Sequence, residues 1–167
     1  MLQRQSLRLI CLMIVVLTIG CDQVTKRIAA HELQGEPGHS YLGDTFRIQY
    51  TENPGAFLSL GATLPGWART AIFSFGSALL LGFCAFSAIR NQWPNVARIG
   101  LCLIFGGGVS NLIDRVLRGS VIDFLNVGIG SLRTGIFNVA DMALMLGVAL
   151  VLITGRQPAK PVPAVQR

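Results

Sequence analysis

Charged residues are scarce in this sequence, and their scarcity excludes an ordinary water-soluble domain. Asp, Glu, Lys and Arg make up 13% of the 167 residues, whereas hydrophobic residues make up 51%. A soluble domain carries about 25% charged residues. The charge-poor stretches, extended at one end through a few polar residues, predict membrane spans near 7–30, 67–89, 96–116 and 137–155, since an apolar helix of about 20 residues crosses a bilayer.

Histidine is nearly absent, which narrows the chemistry that the chain can perform. Its two histidines, His31 and His39, both lie between the first two predicted spans. The sequence after His31 lacks the second histidine of a zinc-peptidase helix, and no span holds a histidine for an intramembrane Ser–His dyad. None of the four cysteines forms a CxxC pair, so neither a zinc site nor a disulfide framework is predicted. We expect no metal and no cofactor.

The basic residues are distributed unequally between the two sides of the predicted spans. The connections 31–66 and 117–136 hold only Arg47, Arg118 and Arg133, whereas seven basic residues flank the opposite ends of the spans: Arg4, Arg8, Arg90, Arg98, Arg156, Lys160 and Arg167. The positive-inside rule then places both termini in the cytoplasm and the two connections outside. This placement predicts no nucleic-acid partner, although the net charge is +6. We expect one membrane domain over 1–156 and a disordered cytoplasmic tail over 157–167.

The first span has a second interpretation. Thr18-Ile19-Gly20-Cys21 resembles the end of a bacterial lipoprotein signal peptide with its lipidated cysteine, and the apolar run is short. Asp22 and Lys26 follow at i,i+4 spacing, however, and can pair and let the helix continue to about Ala30. We therefore favour an uncleaved span.

The outer connections carry strand patterns. Residues 45–50 alternate apolar and polar side chains, the period of a half-buried strand, and Asn53-Pro54-Gly55 predicts a turn. Residues 120–125 indicate a short strand or an interfacial segment, and the Gly-rich residues 127–135 an irregular loop. The predicted fold is an all-α membrane protein of four transmembrane helices with a small extracytoplasmic β-rich cradle.

Polar side chains converge at the outer membrane boundary when this topology is applied. They come from separate segments of the chain: Asp22, Lys26, Asn53, Asn111, Asp114, Arg115, Asp123, Asn138 and Asp141. Ionisable groups in a membrane are costly and usually mark function. The convergence predicts a polar site at this boundary.

Some of these residues have structural alternatives. Asn138 could cap the fourth helix with Asp141 as its acidic partner three residues later. The pair formed by Asp22 and Lys26 is more easily explained as structural than as catalytic. Arg115 follows Asn111 by one helical turn, so both can reach one site.

Asp114 has a structural explanation, whereas Asp123 has none. Asp114 could pair with Arg118 at i,i+4 spacing and stabilise the end of the third helix, so we favour a structural role for it. Asp123 lies between Ile122 and Phe124, where an acid resists ionisation, and has no local partner to explain it.

The chemistry that remains is that of two carboxylates. If Asp123 and Asp141 are close, they share a proton, so that one acts as base on a water while the other donates to a carbonyl. A transporter would also use intramembrane acids, but more naturally near the bilayer midplane. A structural scaffold would leave Asp123 unexplained. We therefore favour an aspartic peptidase.

Five short motifs follow one another along nearly the whole chain short of the tail: Asp22-Gln23-Val24-Thr25-Lys26, Asn53-Pro54-Gly55-Ala56-Phe57, the decapeptide from Gly106 to Arg115, Val121-Ile122-Asp123-Phe124, and Phe137-Asn138-Val139-Ala140-Asp141. In this order they resemble the sequence boxes of bacterial lipoprotein signal peptidase (signal peptidase II). The chain departs from that family's pattern at Thr134-Gly135-Ile136, where the family often has an aromatic residue or proline.

The resemblance implies an enzyme that removes the signal peptide from diacylglyceryl-modified prolipoproteins, cleaving before the lipidated cysteine at the outer (periplasmic) face of the bacterial cytoplasmic (inner) membrane. It implies Asp123 and Asp141 as catalytic residues, no metal, and inhibition by the cyclic peptide globomycin. It also implies four residues that bind substrate or stabilise an oxyanion, namely Asn53, Asn111, Arg115 and Asn138. The expected partners are prolipoprotein substrates and the lipid bilayer, with the chain acting as a monomer.

Overall fold

The computed structural model describes residues 2–55, 64–90 and 93–155. Its elements, in chain order, are α1 (Leu2–Leu33), β1 (His39–Tyr41), β2 (Phe46–Asn53), α2 (Gly66–Arg90), α3 (Asn95–Arg118), β3 (Val121–Ile129), β4 (Leu132–Arg133) and α4 (Val139–Gly155). The expected disordered tail, the basic residues Arg156, Lys160 and Arg167, and the Ala56-Phe57 end of one motif lie outside the described residues.

The helices bear out a membrane protein. Among the described residues, three segments are long and apolar enough to cross a membrane: Gln5–Leu33, Gly66–Ala88 and Asn95–Arg118. The apolar segment of α4, Val139–Thr154, is shorter, so a fourth crossing stays a prediction. All four helices expose large hydrophobic side chains on their outward faces, among them Leu9, Phe75, Val116 and Met145. Such faces suit contact with lipid, because hydrophobic side chains need no hydrogen-bond partners and the helix pairs its own backbone groups.

Helix α3 lies among the other three, and its glycine run makes this possible. A Cβ atom added at Gly106 would lie 3.0 Å from Thr18 Cβ of α1, and one at Gly107 would lie 2.5 Å from the Ala140 oxygen of α4. One at Gly108 would lie 2.6 Å from Leu81 Cδ2 of α2. Three successive glycines thus allow three helices to approach closely, as the small-residue run predicts, and α3 continues through them.

Helix α1 passes through Cys21 without a break and ends at Leu33, beyond the predicted Ala30. Its residues before Cys21 are packed into the bundle, since Val15 and Thr18 both border Gly106. This packing supports the uncleaved-span interpretation over the signal-peptide alternative.

The strands form one antiparallel sheet in the order β1-β2-β3-β4. The prediction of an irregular loop over 127–135 is wrong: β3 continues to Ile129 and a hairpin returns as β4. Gly130, at φ 57, supplies the left-handed turn residue, a conformation that glycine adopts without steric cost. Glycine here marks a tight turn between strands.

Strand β3 is also joined to the start of α4. The Phe137 carbonyl accepts hydrogen bonds from the Phe124 and Leu125 N–H groups, at 3.0 and 2.8 Å, and the Phe137 N–H donates to the Leu125 oxygen. In the unusual Thr134-Gly135-Ile136 segment, the Thr134 hydroxyl accepts from the Val127 N–H and its carbonyl accepts from the Asn126 amide. The segment therefore closes the sheet against α4 without an aromatic residue or proline.

We expect Gly107→Ala to destabilise the protein, because the added methyl meets the backbone of α4. Overpacking of this kind costs about 1–3 kcal/mol, which is several degrees in Tm. Gly76→Ala is the matched control, since a Cβ there has nothing within 4 Å. Thermal unfolding in detergent is the measurement, and equal Tm values for the two variants would contradict the packing described here.

Candidate active site

The sheet positions Asp123 and Asn53. Thr51 of β2 pairs with Asp123 of β3, and Asn53 pairs with Val121. The register shifts between Ile48 and Thr51, so β2 carries a bulge that turns the end of the strand. From this position the Asn53 side-chain amide donates to Asp123 Oδ2 at 3.0 Å.

The first turn of α4 positions Asn138 and Asp141. The Asp141 N–H donates to Asn138 Oδ1 at 3.0 Å, and the Asn138 N–H donates to Asp141 Oδ2 at 3.2 Å. This reciprocal pair is a capping box, so the capping role considered from the sequence is real. Asn138 has a second contact besides the cap: its side-chain amide also donates to Asp123 Oδ1 at 2.6 Å. One fully buried asparagine therefore bonds both carboxylates.

Asn111 of α3 completes the group. Its side-chain amide donates to Asp141 Oδ1 at 2.9 Å, and its oxygen accepts from the Asn138 amide at 3.2 Å. Each carboxylate consequently has one hydrogen bond on each of its two oxygens. Three asparagines from β2, α3 and α4 thus hold the side chains of Asp123 and Asp141 in fixed orientations.

The environment of Asp123 favours its protonated form. The side chain lies within an apolar strand and only 3% of the residue is exposed. The pKa of Asp123 is raised from 3.8 to about 6. Burial is the largest cause and the negative charge of Asp141 adds to it, whereas the hydrogen bonds from Asn53 and Asn138 oppose the rise. A carboxyl group with such a pKa can exchange a proton near neutral pH.

A layer of buried charge lies beneath the two aspartates. Lys26 forms ion pairs with Asp22 at 2.6 Å and with Asp114 at 2.8 Å. Asp22 also accepts hydrogen bonds from the Ser110 hydroxyl at 2.7 Å and from the Ala140 N–H at 2.8 Å. The ion pair between Asp22 and Lys26 is as predicted, and Asp22 additionally ties α1 to the first turn of α4.

The predicted partner of Asp114 is wrong. Asp114 pairs with Lys26 and accepts a hydrogen bond from Gln23 at 3.1 Å, rather than pairing with Arg118. The reason is burial: Asp114 is 1% exposed, whereas Arg118 lies at the exposed end of α3. A cation from the neighbouring helix reaches Asp114 inside the bundle.

Arg115 lies beside the site without a carboxylate in direct contact. Its Nη1 donates to the Asn111 backbone oxygen at 3.4 Å, and its charge acts on Asp123 and Asp141. In the part of the chain that the structure describes, it forms no ion pair within 4.0 Å. Its Nε is buried and lacks a hydrogen-bond partner among the described residues.

Gln23 and Ser110 belong to this buried network, although the sequence did not single them out as functional. The Gln23 amide donates to the Ser110 hydroxyl at 3.1 Å as well as to Asp114. The i,i+4 spacing of Ser110 and Asp114 places both on one face of α3, and this spacing could have indicated from the sequence that Ser110 belongs to the network. Within the described residues, no cluster of three or more His, Cys, Asp or Glu side chains is arranged to hold a metal ion.

A second network supports the sheet, and the sequence also gave no indication of it. Arg133 donates to Asn126 Oδ1 at 2.6 Å and to the Asp44 backbone oxygen at 2.7 Å. Arg47 donates to Asp44 from two nitrogens, and these bonds hold the pKa of Asp44 well below its usual range. The β1–β2 turn is thereby joined to the β3–β4 hairpin.

A known protein family matches most of the chain. The family profile described as "Signal peptidase (SPase) II" matches residues 14–155. The chain belongs to the signal peptidase II family. All nine residues predicted for the site lie within the matched region.

Individual relatives and structures support the same membership. The lipoprotein signal peptidase of Teredinibacter turnerae is 35% identical over 144 residues, covering 83% of this chain and 82% of that protein. The lipoprotein signal peptidase of Moorella thermoacetica is 32% identical, covering 90% and 98%. Two solved structures of a bacterial membrane enzyme, obtained by the in meso method, superpose with TM-scores of 0.74 and 0.79 at 27% and 28% identity. They cover 90% and 89% of this chain, and 93% and 94% of the chains compared. The family member described here is an integral membrane protein.

We expect Asp22→Asn to lower stability, because it removes one partner of a buried ion pair and weakens the link to α4. Breaking such a pair costs on the order of 3 kcal/mol. The control is Glu32→Gln on the same helix, where the His31–Glu32 contact is exposed and a change stays within about 0.5 kcal/mol. Thermal unfolding compares the two; loss of turnover by Asp22→Asn without loss of Tm would contradict a structural role.

The raised pKa of Asp123 predicts a pH-dependent stability. The folded protein keeps a proton on this group between its ordinary pKa of 3.8 and about 6. The stabilisation is therefore present at acid pH and is lost as the pH rises through about 6. The side chain introduced by Asp123→Asn cannot ionise. The difference in Tm between the variant and the wild type should therefore change in favour of the variant as the pH rises through this window, because any destabilisation caused by the amide itself does not depend on pH. A Tm difference that does not change with pH would contradict the raised pKa.

Proposed function

We propose that this chain is an aspartic endopeptidase that removes the signal peptide from diacylglyceryl-modified prolipoproteins, cleaving before the lipidated cysteine. The observation that carries the proposal is the joint attachment of Asp123 and Asp141 to Asn138. Two carboxylates held by one residue, in a buried polar site at the ends of membrane helices, are suited to sharing a proton. Membership of the signal peptidase II family supports the reaction and its substrate class.

The two aspartates would act on the scissile amide through a water molecule. The unprotonated carboxylate takes a proton from the water, whose oxygen attacks the carbonyl carbon, and the protonated carboxyl donates to the carbonyl oxygen. The tetrahedral intermediate then collapses, the C–N bond breaks, and the amine leaves with a proton from the pair. The raised pKa of Asp123 supports a singly protonated pair near neutral pH. The pair titrates as a unit, so the proton is assigned to both aspartates together.

The polar residues around the pair have two roles, which are to orient the carboxylates and to stabilise charge on the substrate. Asn53, Asn111 and Asn138 direct their amides at the carboxylates and so keep them oriented. Arg115 is the donor best placed to meet the substrate, because it lies beside the pair and its Nε has no hydrogen-bond partner in residues 2–55, 64–90 and 93–155. A fixed cation near the scissile carbonyl would stabilise the negative charge that develops there.

The helix directions support a site at the outer face of the cytoplasmic membrane. Thr70, near the start of α2, donates to the Gly119 oxygen at the end of α3, so neighbouring helices run in opposite directions. Arg8, Arg90 and Arg98 lie at the ends away from the site, which the positive-inside rule assigns to the cytoplasm. With 17 residues, α4 is about 25 Å long against a hydrocarbon thickness of about 30 Å. We infer four crossings, cytoplasmic termini and periplasmic access of water to the site.

The exposed apolar helix faces and the position of the site also support a route for the substrate and a monomeric state. A signal peptide helix and two acyl chains are apolar, so they can reach the site laterally through lipid, whose contact faces α1–α4 expose. Asp123, Asp141 and the three asparagines that bond them are brought together by the fold of a single chain, which supports a monomeric enzyme.

We expect Asp123→Asn and Asp141→Asn each to abolish cleavage, because neither variant can share a proton across the pair. The measurement is a gel-shift assay with a purified diacylglyceryl-modified prolipoprotein in detergent, with Glu32→Gln as the control that retains activity. Globomycin should block cleavage by the wild type and by the control.

Thermal unfolding of the same samples shows whether each variant is folded. Normal cleavage by either folded Asp→Asn variant would overturn the proposed pair. Cleavage of an unmodified prolipoprotein at the same rate as the diacylated one would overturn the substrate assignment.

A further inference from the structure

The ammonium group of Lys26 has a third acceptor besides its two ion pairs. Lys26 Nζ donates to Asn111 Oδ1 at 2.7 Å, in addition to contacting Asp22 and Asp114 at 2.6 and 2.8 Å. An ammonium carries three N–H donors and no acceptor, and three acceptor oxygens lie within 2.8 Å of this one. The side chain is only 1% exposed, and its position is therefore determined by these three partners.

This contact decides which way the Asn111 amide points. With its oxygen towards Lys26, Asn111 presents its NH₂ group to Asp141 Oδ1 at 2.9 Å. A flipped amide would place NH₂ against the ammonium and against the Asn138 amide, and would place its oxygen against the Asp141 carboxylate. Two donor–donor contacts and one acceptor–acceptor contact would replace three hydrogen bonds.

We propose that Lys26 is a positioning residue for catalysis, which holds the Asn111 amide in the one orientation that donates to Asp141. The proposal rests on the function proposed above and goes beyond charge compensation of Asp22 and Asp114. It assigns Lys26 an effect on the reacting pair that is transmitted through Asn111. A misdirected catalytic group costs on the order of 10²-fold in rate.

Charged groups from every neighbouring element face this lysine. They are Asp22 from α1, Asp114 from α3, Asp123 from β3 and Asp141 from α4, and Arg115 of α3 interacts with the last three of these acids. The Lys26 charge lowers the pKa of Asp123, against the larger effect of burial. Removal of Lys26 alone would therefore change both the charge and the amide orientation, so a test has to separate the two.

The double variant Lys26→Met with Asp114→Asn makes this separation. It removes one positive and one negative charge of the same ion pair, so the net charge of the cluster is unchanged. Asp22 loses its ion pair but keeps its hydrogen bonds from the Ser110 hydroxyl and the Ala140 N–H, and Met fills most of the volume of the lysine side chain. Asp114→Asn alone is the matched control, because it keeps the Lys26 contact with Asn111. Kinetics with the diacylated substrate are measured across pH on samples whose melting curves show that they are folded.

The expected result is a kcat for the double variant on the order of 10²-fold below those of both Asp114→Asn and the wild type, with a KM changed far less. The wild type is the comparison at equal charge, because its cluster of Lys26, Asp22 and Asp114 has the same net charge as the double variant. The acid limb of its pH–rate profile should move to higher pH, since a carboxylate that loses a donor holds its proton more tightly. A folded double variant with the kcat and acid limb of the control would overturn the positioning role, because charge compensation would then be sufficient.

A measurement on the unaltered protein keeps the proposal testable if the double variant does not fold. In ¹⁵N-labelled enzyme, the Asn111 side-chain NH₂ resonances should shift with pH together with the acid limb, because this group faces Asp141. Resonances that do not respond to that titration would overturn the assigned orientation. Failure of the proposed function is distinct, since it would appear as cleavage by Asp123→Asn or Asp141→Asn.

Discussion

A buried lysine between two aspartates, Asp22 and Asp114, is the interaction on which the rest of this structure depends. Charges inside a membrane protein are tolerated only when they are paired and hydrogen-bonded. Here Lys26 pairs with Asp22 on its own helix and with Asp114 on α3. Asp22 also accepts the Ala140 N–H, so the same cluster joins α1, α3 and the first turn of α4. Because Asp141 lies in that turn and Asn138 immediately precedes it, the ion cluster and the site form one continuous polar structure.

The sheet contributes the other half of the site through a different physical constraint. A strand needs partners for its backbone groups, and β3 finds them on β2, on β4 and at Phe137 before α4. These bonds fix the depth and the direction of the Asp123 side chain. The bulge in β2 then brings Asn53 to the carboxylate, so that backbone pairing outside the helices determines geometry at the helix ends.

Burial produces the chemistry that this arrangement supports. Asp123 lies in an apolar strand beside a second carboxylate, and both conditions raise its pKa. The amides of Asn53 and Asn138 prevent a larger rise by hydrogen bonding to the charged form. The resulting balance favours a carboxyl group that can lose and regain a proton, which is what the proposed acid–base steps require.

Much of this protein was determined by the sequence itself. The apolar runs specify helices and the glycine run predicts close helix packing, because both depend on local composition. The acidic and amide residues of the site could also be found by topology, since segment ends on one side of a membrane must lie near one another. Only the tertiary structure decided which donor meets which oxygen: that Asp114 pairs with Lys26 rather than Arg118, that the Gly-rich stretch is a hairpin, and that Asn138 bonds both aspartates. Such choices depend on distances between groups far apart in the chain, and a spacing rule within one helix or strand carries no information about them.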